Sequence, residues 1–315
     1  MSFILTEEQE ELLALVRKFS EKEILPYAHQ MDVEAHFVPG LIQKIADLGF
    51  MGINVPEEYG GVGADEVTKA LVIMEFAKYD ASVAELLAVH TLSSDIILKH
   101  GTPEQKEKYL TKACTGAVGA FALTEPNAGS DAAAAKTKAI SQGDEYIING
   151  SKCFISNMGQ DEGDYVILIV LTDPEKKTKG MSAIIVDRDT PGFTVPKTED
   201  KMGLRAAPVS ELYFDECHVP KSQLLGEEGK GFAIAMAGLD GGRIGMASQA
   251  VGLAESCIAE SVEYSTQRVQ FGKPVNANQG LQWYLADMAT KTEAAKALTL
   301  NAAALRQAGK NITKE

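Results

Sequence analysis

The segment YVILIVLTDP, residues 165–174, indicates the kind of fold found in the middle of this chain. Its apolar, largely β-branched run stops at the turn pair Asp173–Pro174, as expected for a buried strand. Similar short runs at 139–141, 181–187 and 193–197 alternate with turn clusters between about residues 116 and 219. Many short strands without helices between them predict a small antiparallel barrel or sandwich.

Helical patterns lie on both sides of this region. Thr6 and Gln9 form a capping box before a first helix, and Thr102 and Pro103 begin a later one. A long apolar stripe starts near Gly231, and a second long helix follows 279. We therefore expect an α+β fold in three parts: an N-terminal all-α domain at 1–114, a middle antiparallel β-barrel or sandwich domain at 115–228, and a C-terminal α-helical bundle domain at 229–315.

Composition narrows the class of protein. The 315 residues include 30 Lys and Arg against 44 Asp and Glu, a net charge of -14. An acidic surface repels phosphates, so neither nucleic acid nor an anionic membrane is expected as a partner. The first residues lack a basic start and a long apolar core, and no signal peptide is expected. These features favour a cytoplasmic location.

The cysteines and histidines show no metal-binding spacing. Four cysteines are widely separated, without a CxxC pair, and are expected to be reduced thiols. Five histidines are equally dispersed. We expect no metal site and no Cys–His nucleophile.

The segment FALTEPNAGSD at 121–131 is a candidate ligand-binding turn. It joins a strand to a turn dense in hydrogen-bonding groups, namely Thr124, Glu125, Asn127, Ser130 and Asp131. Such a turn can offer backbone N–H and hydroxyl donors to a planar or phosphorylated ligand. A plain loop that ends a strand is the alternative.

A second candidate lies in NGSKCFISN at 149–157. Strand alternation puts Phe154 and Ser156 on one face, where a flat ring could lie on the phenyl group while the hydroxyl binds its polar edge. A core aromatic is the alternative.

The third candidate is LDGGR at 239–243, inside a helical pattern. Two glycines there cost about 1 kcal/mol each against alanine, which makes sense if a ligand approaches the backbone. Asp240 and Arg243 would flank that ligand. A helix break or a solvated ion pair is the alternative. No GxGxxG or Walker-type phosphate loop occurs.

Six segments together resemble the acyl-CoA dehydrogenases, most closely their bacterial short-chain (butyryl-CoA) branch. They lie at 121–131, 150–157, 200–203, 225–232, 239–247 and 267–274. The resemblance covers essentially the whole chain and implies FAD as cofactor.

The resemblance also implies residue roles. It assigns cofactor binding to Phe121, Leu123, Thr124, Ser130, Phe154, Ile155, Ser156, Arg268, Phe271 and Gln279. Of these, the last three would reach the FAD of a neighbouring subunit, which implies a homo-oligomer, expected to be a tetramer. Substrate binding falls to Ser130, Asp240, Gly241, Gly242 and Arg243.

The implied reaction is α,β-dehydrogenation of a short-chain acyl-CoA, or the reverse enoyl-CoA reduction, with electrons exchanged with electron-transfer flavoprotein. The family's glutamate base has no counterpart at its usual motif, and the resemblance places it beyond Glu315. We therefore expect a C-terminally truncated chain that contains no catalytic residue, has an incomplete last domain and is inactive alone.

Two alternatives remain open. One is a dehydrogenase for a branched, aromatic or dicarboxylic acyl-CoA, in which the unusual His90 could recognise the acyl group, although a packed histidine is the simpler interpretation. The other is a non-catalytic FAD- or CoA-binding scaffold, suggested by the missing base.

Overall fold

A computed structural model describes residues 4–159 and 162–315. The α-helices, in chain order, are α1 Glu7–Glu23, α2 Ala28–Glu34, α3 Leu41–Asp47, α4 Glu66–Ala77, α5 Ala81–His100, α6 Pro103–Cys114, α7 Gly231–Gln267 and α8 Gln279–Gln307. The strands are β1 Gly119–Ala122, β2 Lys138–Gln142, β3 Glu145–Ser156, β4 Tyr165–Leu171, β5 Met181–Asp187, β6 Phe193–Thr194, β7 Val209–Pro220, β8 Leu224–Leu225, β9 Val269–Gln270 and β10 Lys273–Pro274. This order confirms the predicted helical, sheet and helical fold class.

Local sequence sets the helix boundaries. Thr6 and Thr102 accept the backbone N–H groups of Gln9 and Gln105, and each glutamine side chain accepts the N–H of its threonine. Both predicted capping boxes are therefore present. After α3, Gly49 takes a φ of 83°, a conformation that glycine adopts without a Cβ clash.

The sheet is mixed rather than purely antiparallel. Among the described residues, strands run in the order β6-β7-β3-β2-β4-β5-β8, and β1 pairs with β4. Most neighbours are antiparallel, but β1 and β2 both pair with β4 in parallel. The antiparallel expectation fails at these two pairs, because each connection to β4 crosses over other chain segments instead of forming a hairpin.

The chain divides into two compact units. One contains the described residues up to His29, Asp65–Glu85 and Arg243–Glu315. Its helices carry two ion pairs: the half-exposed Arg17 with the buried Glu75 at 2.8 Å, and the buried Lys69 with Glu66 at 3.0 Å. The predicted division at 1–114, 115–228 and 229–315 stays a prediction.

The other unit contains Gln30–Ala64 and Leu86–Gly242, including the sheet from β1 to β8. Its core lies between the sheet and α6, where the buried rings of Tyr109 and Tyr165 are 5.1 Å apart. All four cysteines of the chain are free thiols, as expected.

One helix among the described residues, α5, is long and apolar enough to cross a membrane by length and composition. Of its most apolar window, 78% is buried inside the protein, as in the core helix of a soluble protein.

Candidate cofactor and substrate site

The first candidate segment leaves the sheet at the end of β1. Phe121 is half-buried opposite Ile167 of β4. The chain then turns tightly, because Glu125 and Ala128 exchange backbone hydrogen bonds of 3.2 and 3.0 Å. Ser130 follows this turn in an exposed position.

The second candidate segment contains a β-bulge. The register of β3 against β7 shifts between Lys152 and Ile155. Within the bulge, Phe154 has a left-handed φ of 58° and 72% of its surface exposed, whereas Ile155 is buried. Ser156 is half-buried. The predicted shared outer face of Phe154 and Ser156 agrees with these exposures, and the alternative of a core aromatic is wrong.

Backbone and side-chain hydrogen bonds join the two segments. The Cys153 N–H donates to the Thr124 carbonyl at 3.0 Å. The buried Lys152 Nζ donates to the Leu123 carbonyl at 3.0 Å and to Glu125 Oε1 at 2.9 Å. The exposed phenyl of Phe154 is therefore attached to the turn through its two preceding residues.

Glu125 does not face a ligand, contrary to its expected place among the turn's binding groups. Its Oε2 accepts the Lys136 N–H at 2.7 Å, and its Oε1 accepts the Thr137 N–H at 2.9 Å. Burial acts to raise the pKa of Glu125, but these hydrogen bonds and Lys152 outweigh it and hold that pKa below its ordinary value. Burial lowers the pKa of Lys152, and Glu125 partly offsets this.

Asn157 and His90 fix the start of β1. The buried Asn157 Nδ2 donates to the carbonyls of Leu86 and Gly119 at 3.0 and 3.3 Å. His90 is also buried, and its Nε2 donates to the Met51 carbonyl at 2.9 Å while its Nδ1 accepts the Gly119 N–H at 3.2 Å. Burial lowers the pKa of His90 to about 4. Both ring nitrogens are engaged within the chain, which favours the packed histidine over a role in recognising the acyl group.

The third candidate segment is part of a continuous helix. α7 runs without interruption through 239–243, so the alternative of a helix break is wrong. Gly241 is buried and Gly242 half-buried, with the side chain of Leu92 3.4 Å from where a Cβ at Gly242 would lie. Asp240 is half-buried and Arg243 is exposed.

The three residues expected to reach a neighbouring subunit belong to the other compact unit. Arg268 directly follows α7, and Gln279 begins α8. Between them, β9 and β10 form a hairpin whose tip is Phe271, fully exposed with a φ of 51°. The structure does not place these residues in one unit with the sheet segments.

Sequence reasoning missed Lys152 and Asn157, both fully buried in the second segment. A signal for Lys152 was present, since a lysine between buried strand positions needs a partner and Glu125 was an available carboxylate. Asn157 carried a weaker signal, because asparagine tolerates its left-handed φ of 67°.

These residues fit a flat, polar-edged ligand. Phe154 offers an exposed ring on a fixed backbone, and the Thr124 and Ser156 hydroxyls are hydrogen-bonding groups of the two joined segments. The fold and this site define a helical–sheet–helical protein with a candidate site for a planar ligand at one end of β1 and β3.

Comparison with known proteins identifies the family. Residues 6–117, 120–217 and 229–315 match the N-terminal, middle and C-terminal domains of acyl-CoA dehydrogenases. The chain belongs to the acyl-CoA dehydrogenase family, oxidoreductases that act on CH–CH groups. Membership implies a flavin cofactor.

Individual relatives are similar over the whole chain. The acryloyl-CoA reductase (NADH) of Anaerotignum propionicum is 51% identical, over 100% of this chain and 80% of its own length. The butyryl-CoA dehydrogenase structure from Megasphaera elsdenii is 44% identical with a TM-score of 0.96, covering 99% of this chain and 83% of that one. A structure described as the electron transferring flavoprotein of Acidaminococcus fermentans is 45% identical with a TM-score of 0.96, covering 99% and 82%.

These matches cover 99% to 100% of the chain, which spans about four-fifths of each relative's length. They do not bear out the expected truncation.

Proposed function

We propose that this chain binds FAD and catalyses α,β-dehydrogenation of a short-chain acyl-CoA. The observation that supports this most is the exposed Phe154, held on a left-handed bulge that is hydrogen-bonded to the Leu123–Thr124 turn. The names of two relatives, a butyryl-CoA dehydrogenase and an acryloyl-CoA reductase, supply the substrate class.

Each cofactor-binding residue has a physical role in this proposal. Phe154 packs on the face of the flavin ring, and the Ser156 hydroxyl hydrogen-bonds to its polar edge. The carbonyls of Leu123 and Thr124 already accept hydrogen bonds from β3, so the turn meets the ring mainly with donors. Ile155 lies behind Phe154 in the core, and Phe121 borders the ring from β1.

Substrate binding uses the third segment and the end of the turn. A CoA group needs polar partners, and Asp240 and Arg243 provide an acceptor and a cation on α7 beside Gly241 and Gly242. The exposed Ser130 contacts both the cofactor and the thioester arm. Hydrogen bonds to the thioester oxygen would acidify the α-proton, because they stabilise negative charge as it develops.

FAD, when bound, supplies the acceptor for the β-hydrogen. A carboxylate must remove the α-proton. We assign that role to no named residue of 1–315.

Reduction is a second candidate direction. It is favoured by the relative that is 51% identical, which is named an acryloyl-CoA reductase. In that direction enoyl-CoA is the substrate, and the same residues would bind it. Electrons would then enter through the flavin.

We further propose that electron-transfer flavoprotein exchanges electrons with this enzyme in the cytoplasm. A relative solved under the description of that flavoprotein supports this partner. We also propose a homotetramer in which Arg268, Phe271 and Gln279 complete the FAD site of a neighbouring copy.

The test combines FAD uptake with reduction of the bound flavin. We expect the purified chain to bind about one FAD per chain, seen by its visible absorbance, and butyryl-CoA to perturb that spectrum. We further expect butyryl-CoA to bleach the flavin absorbance anaerobically and to be turned over with an artificial electron acceptor. Failure to take up FAD would refute the proposed function, and FAD uptake without bleaching would refute the dehydrogenation.

A further inference from the structure

One buried ion pair connects three segments around the candidate flavin site. Lys152 Nζ contacts Glu125 Oε1 at 2.9 Å and the Leu123 carbonyl at 3.0 Å. The same carboxylate accepts the backbone N–H groups of Lys136 and Thr137. A single pair of side chains thus joins the turn after β1, the approach to β2 and the bulge of β3.

The pair is deeply buried. The Lys152 side chain has no exposed surface, and the Glu125 side chain is 9% exposed. Removing two charges from water offsets much of their attraction, so a pair of apolar side chains is often as stabilising as a buried ion pair. Stability alone therefore gives little reason for charged residues at these two positions.

Their contacts suggest a different role. Lys152 is two residues before Phe154, and its ammonium group donates to the carbonyl of Leu123, one of the proposed flavin-binding residues. Between them, the Cys153 N–H donates to the Thr124 carbonyl at 3.0 Å. These two hydrogen bonds fix the distance and orientation of the bulge relative to the turn.

We propose that Lys152 and Glu125 are positioning residues for the flavin: they hold the Leu123–Thr124 turn and the Phe154 bulge in the geometry that receives the ring. This inference rests on the proposed FAD site. The pair touches no ligand itself and acts through Leu123, Cys153 and Phe154. Losing it lets the bulge and the turn move apart, which weakens FAD binding and alters the polarity around the ring.

The experiment compares Lys152→Met with a control, Lys69→Met, in FAD-stripped full chain. Lys69 is also a buried lysine, 7% exposed and paired with Glu66, but it lies on α4 in the other unit. Three quantities are measured: the FAD dissociation constant by flavin fluorescence, the visible spectrum of the bound flavin, and the unfolding temperature without FAD.

We expect Lys152→Met to weaken FAD binding about tenfold or more, equivalent to ~1.4 kcal/mol, and to shift the flavin spectrum. Lys69→Met should lower the unfolding temperature while keeping the dissociation constant within about twofold of wild type. If Lys152→Met does not fold, the double variant Glu125→Gln/Lys152→Met, which leaves no buried charge unpaired, replaces it with the same expectation.

Wild-type affinity and an unchanged spectrum in the folded variant would overturn the positioning role. Equal weakening by Lys69→Met would also overturn it, since the effect would then follow stability alone. A wild-type chain that binds no FAD would refute the proposed function instead, so the two failures are distinguishable.

Discussion

Phe154 and Phe271 are two exposed aromatic residues with left-handed backbones, at φ 58° and 51°, and different surroundings. Phe154 lies between buried neighbours in β3, and Lys152 before it and Asn157 after it are hydrogen-bonded to other segments. Phe271 and Gly272 form the two-residue loop of a short hairpin, and both have positive φ, as in a type I′ turn.

The comparison indicates which part of the proposed site a chain forms through its own contacts, and which part it contributes to another copy. Tertiary contacts impose the conformation of Phe154, so its platform, the joined segments 121–130 and 152–157, is formed before any ligand arrives. Local turn geometry sets Phe271, and its fully exposed ring has no cover from the described part of this chain. Such a ring makes sense as a contribution to a site on another copy.

The largest expected effect concerns His90, which supports the platform through Gly119. Its folded pKa of about 4 lies below the unfolded value of about 6.5, so the unfolded state binds the extra proton between these pH values. The contribution of neutral His90 to the free energy of unfolding is therefore fully present above about pH 6.5, and it falls by about 2–3 kcal/mol on acidification to pH 4.5. Over the same pH range, the free energy of unfolding measured by urea denaturation should fall about 2–3 kcal/mol less in His90→Gln than in wild type.

The matched control is His218→Gln, since His218 is half-exposed and hydrogen-bonded to Glu145 at the surface. The stability loss on acidification should be larger in His218→Gln than in His90→Gln. An identical pH dependence in His90→Gln and wild type would show that His90 is not held neutral.

A glycine-to-alanine pair tests packing in the two regions. A Cβ at Gly119 would lie 2.6 Å from Tyr165 Oη and closer still to Ser93 Oγ, whereas Gly280 in α8 has open space. We expect Gly119→Ala to reduce the free energy of unfolding by about 1–3 kcal/mol, and Gly280→Ala to increase it by up to about 1 kcal/mol. Equal changes in the free energy of unfolding, measured by chemical denaturation, would contradict tight packing around Gly119 and open space around Gly280.

Phe154→Ala tests function apart from stability. Because the ring is 72% exposed, the unfolding temperature without FAD should hardly change. Loss of ring stacking should weaken FAD binding about tenfold, measured by fluorescence titration. Leu15→Ala, at a 39% exposed position on α1, is the control and should leave FAD affinity unchanged. A folded Phe154→Ala with wild-type affinity would remove Phe154 from the site.

The smallest expected effect is that of Phe271→Asn. Asn-Gly suits a type I′ turn, so the substitution should stabilise the chain slightly, by about 0.5 kcal/mol. It should nevertheless weaken FAD binding at protein concentrations where the chain self-associates. Unchanged affinity in the assembled protein would show that the hairpin tip does not reach a cofactor.

Much of the fold could be predicted because its signals are local. The capping residues Thr6 and Thr102 and the apolar stripes of α7 and α8 depend on neighbours in sequence. The parallel pairing of β1 with β4 could not be predicted in this way, since it depends on segments far apart in the chain.

The same distinction applies to the site. Alternation predicted that Phe154 and Ser156 share a face, and the structure leaves Phe154 exposed and Ser156 half-buried. It did not predict the bulge, which is a register shift of β3 against β7, or the inward-facing Glu125, which contacts Lys152 in a segment far along the chain.

Mixing two defective variants tests most directly whether one copy supplies the platform and another the tip. Phe154→Ala and Phe271→Asn chains are dissociated, mixed and reassembled, and high-affinity FAD sites are counted by titration. In mixed pairs, one site joins an intact Phe154 from one chain to an intact Phe271 from the other, so about half of their sites should be restored. If mixing restores no high-affinity sites beyond those of the separate variants, the two residues do not meet across a subunit boundary.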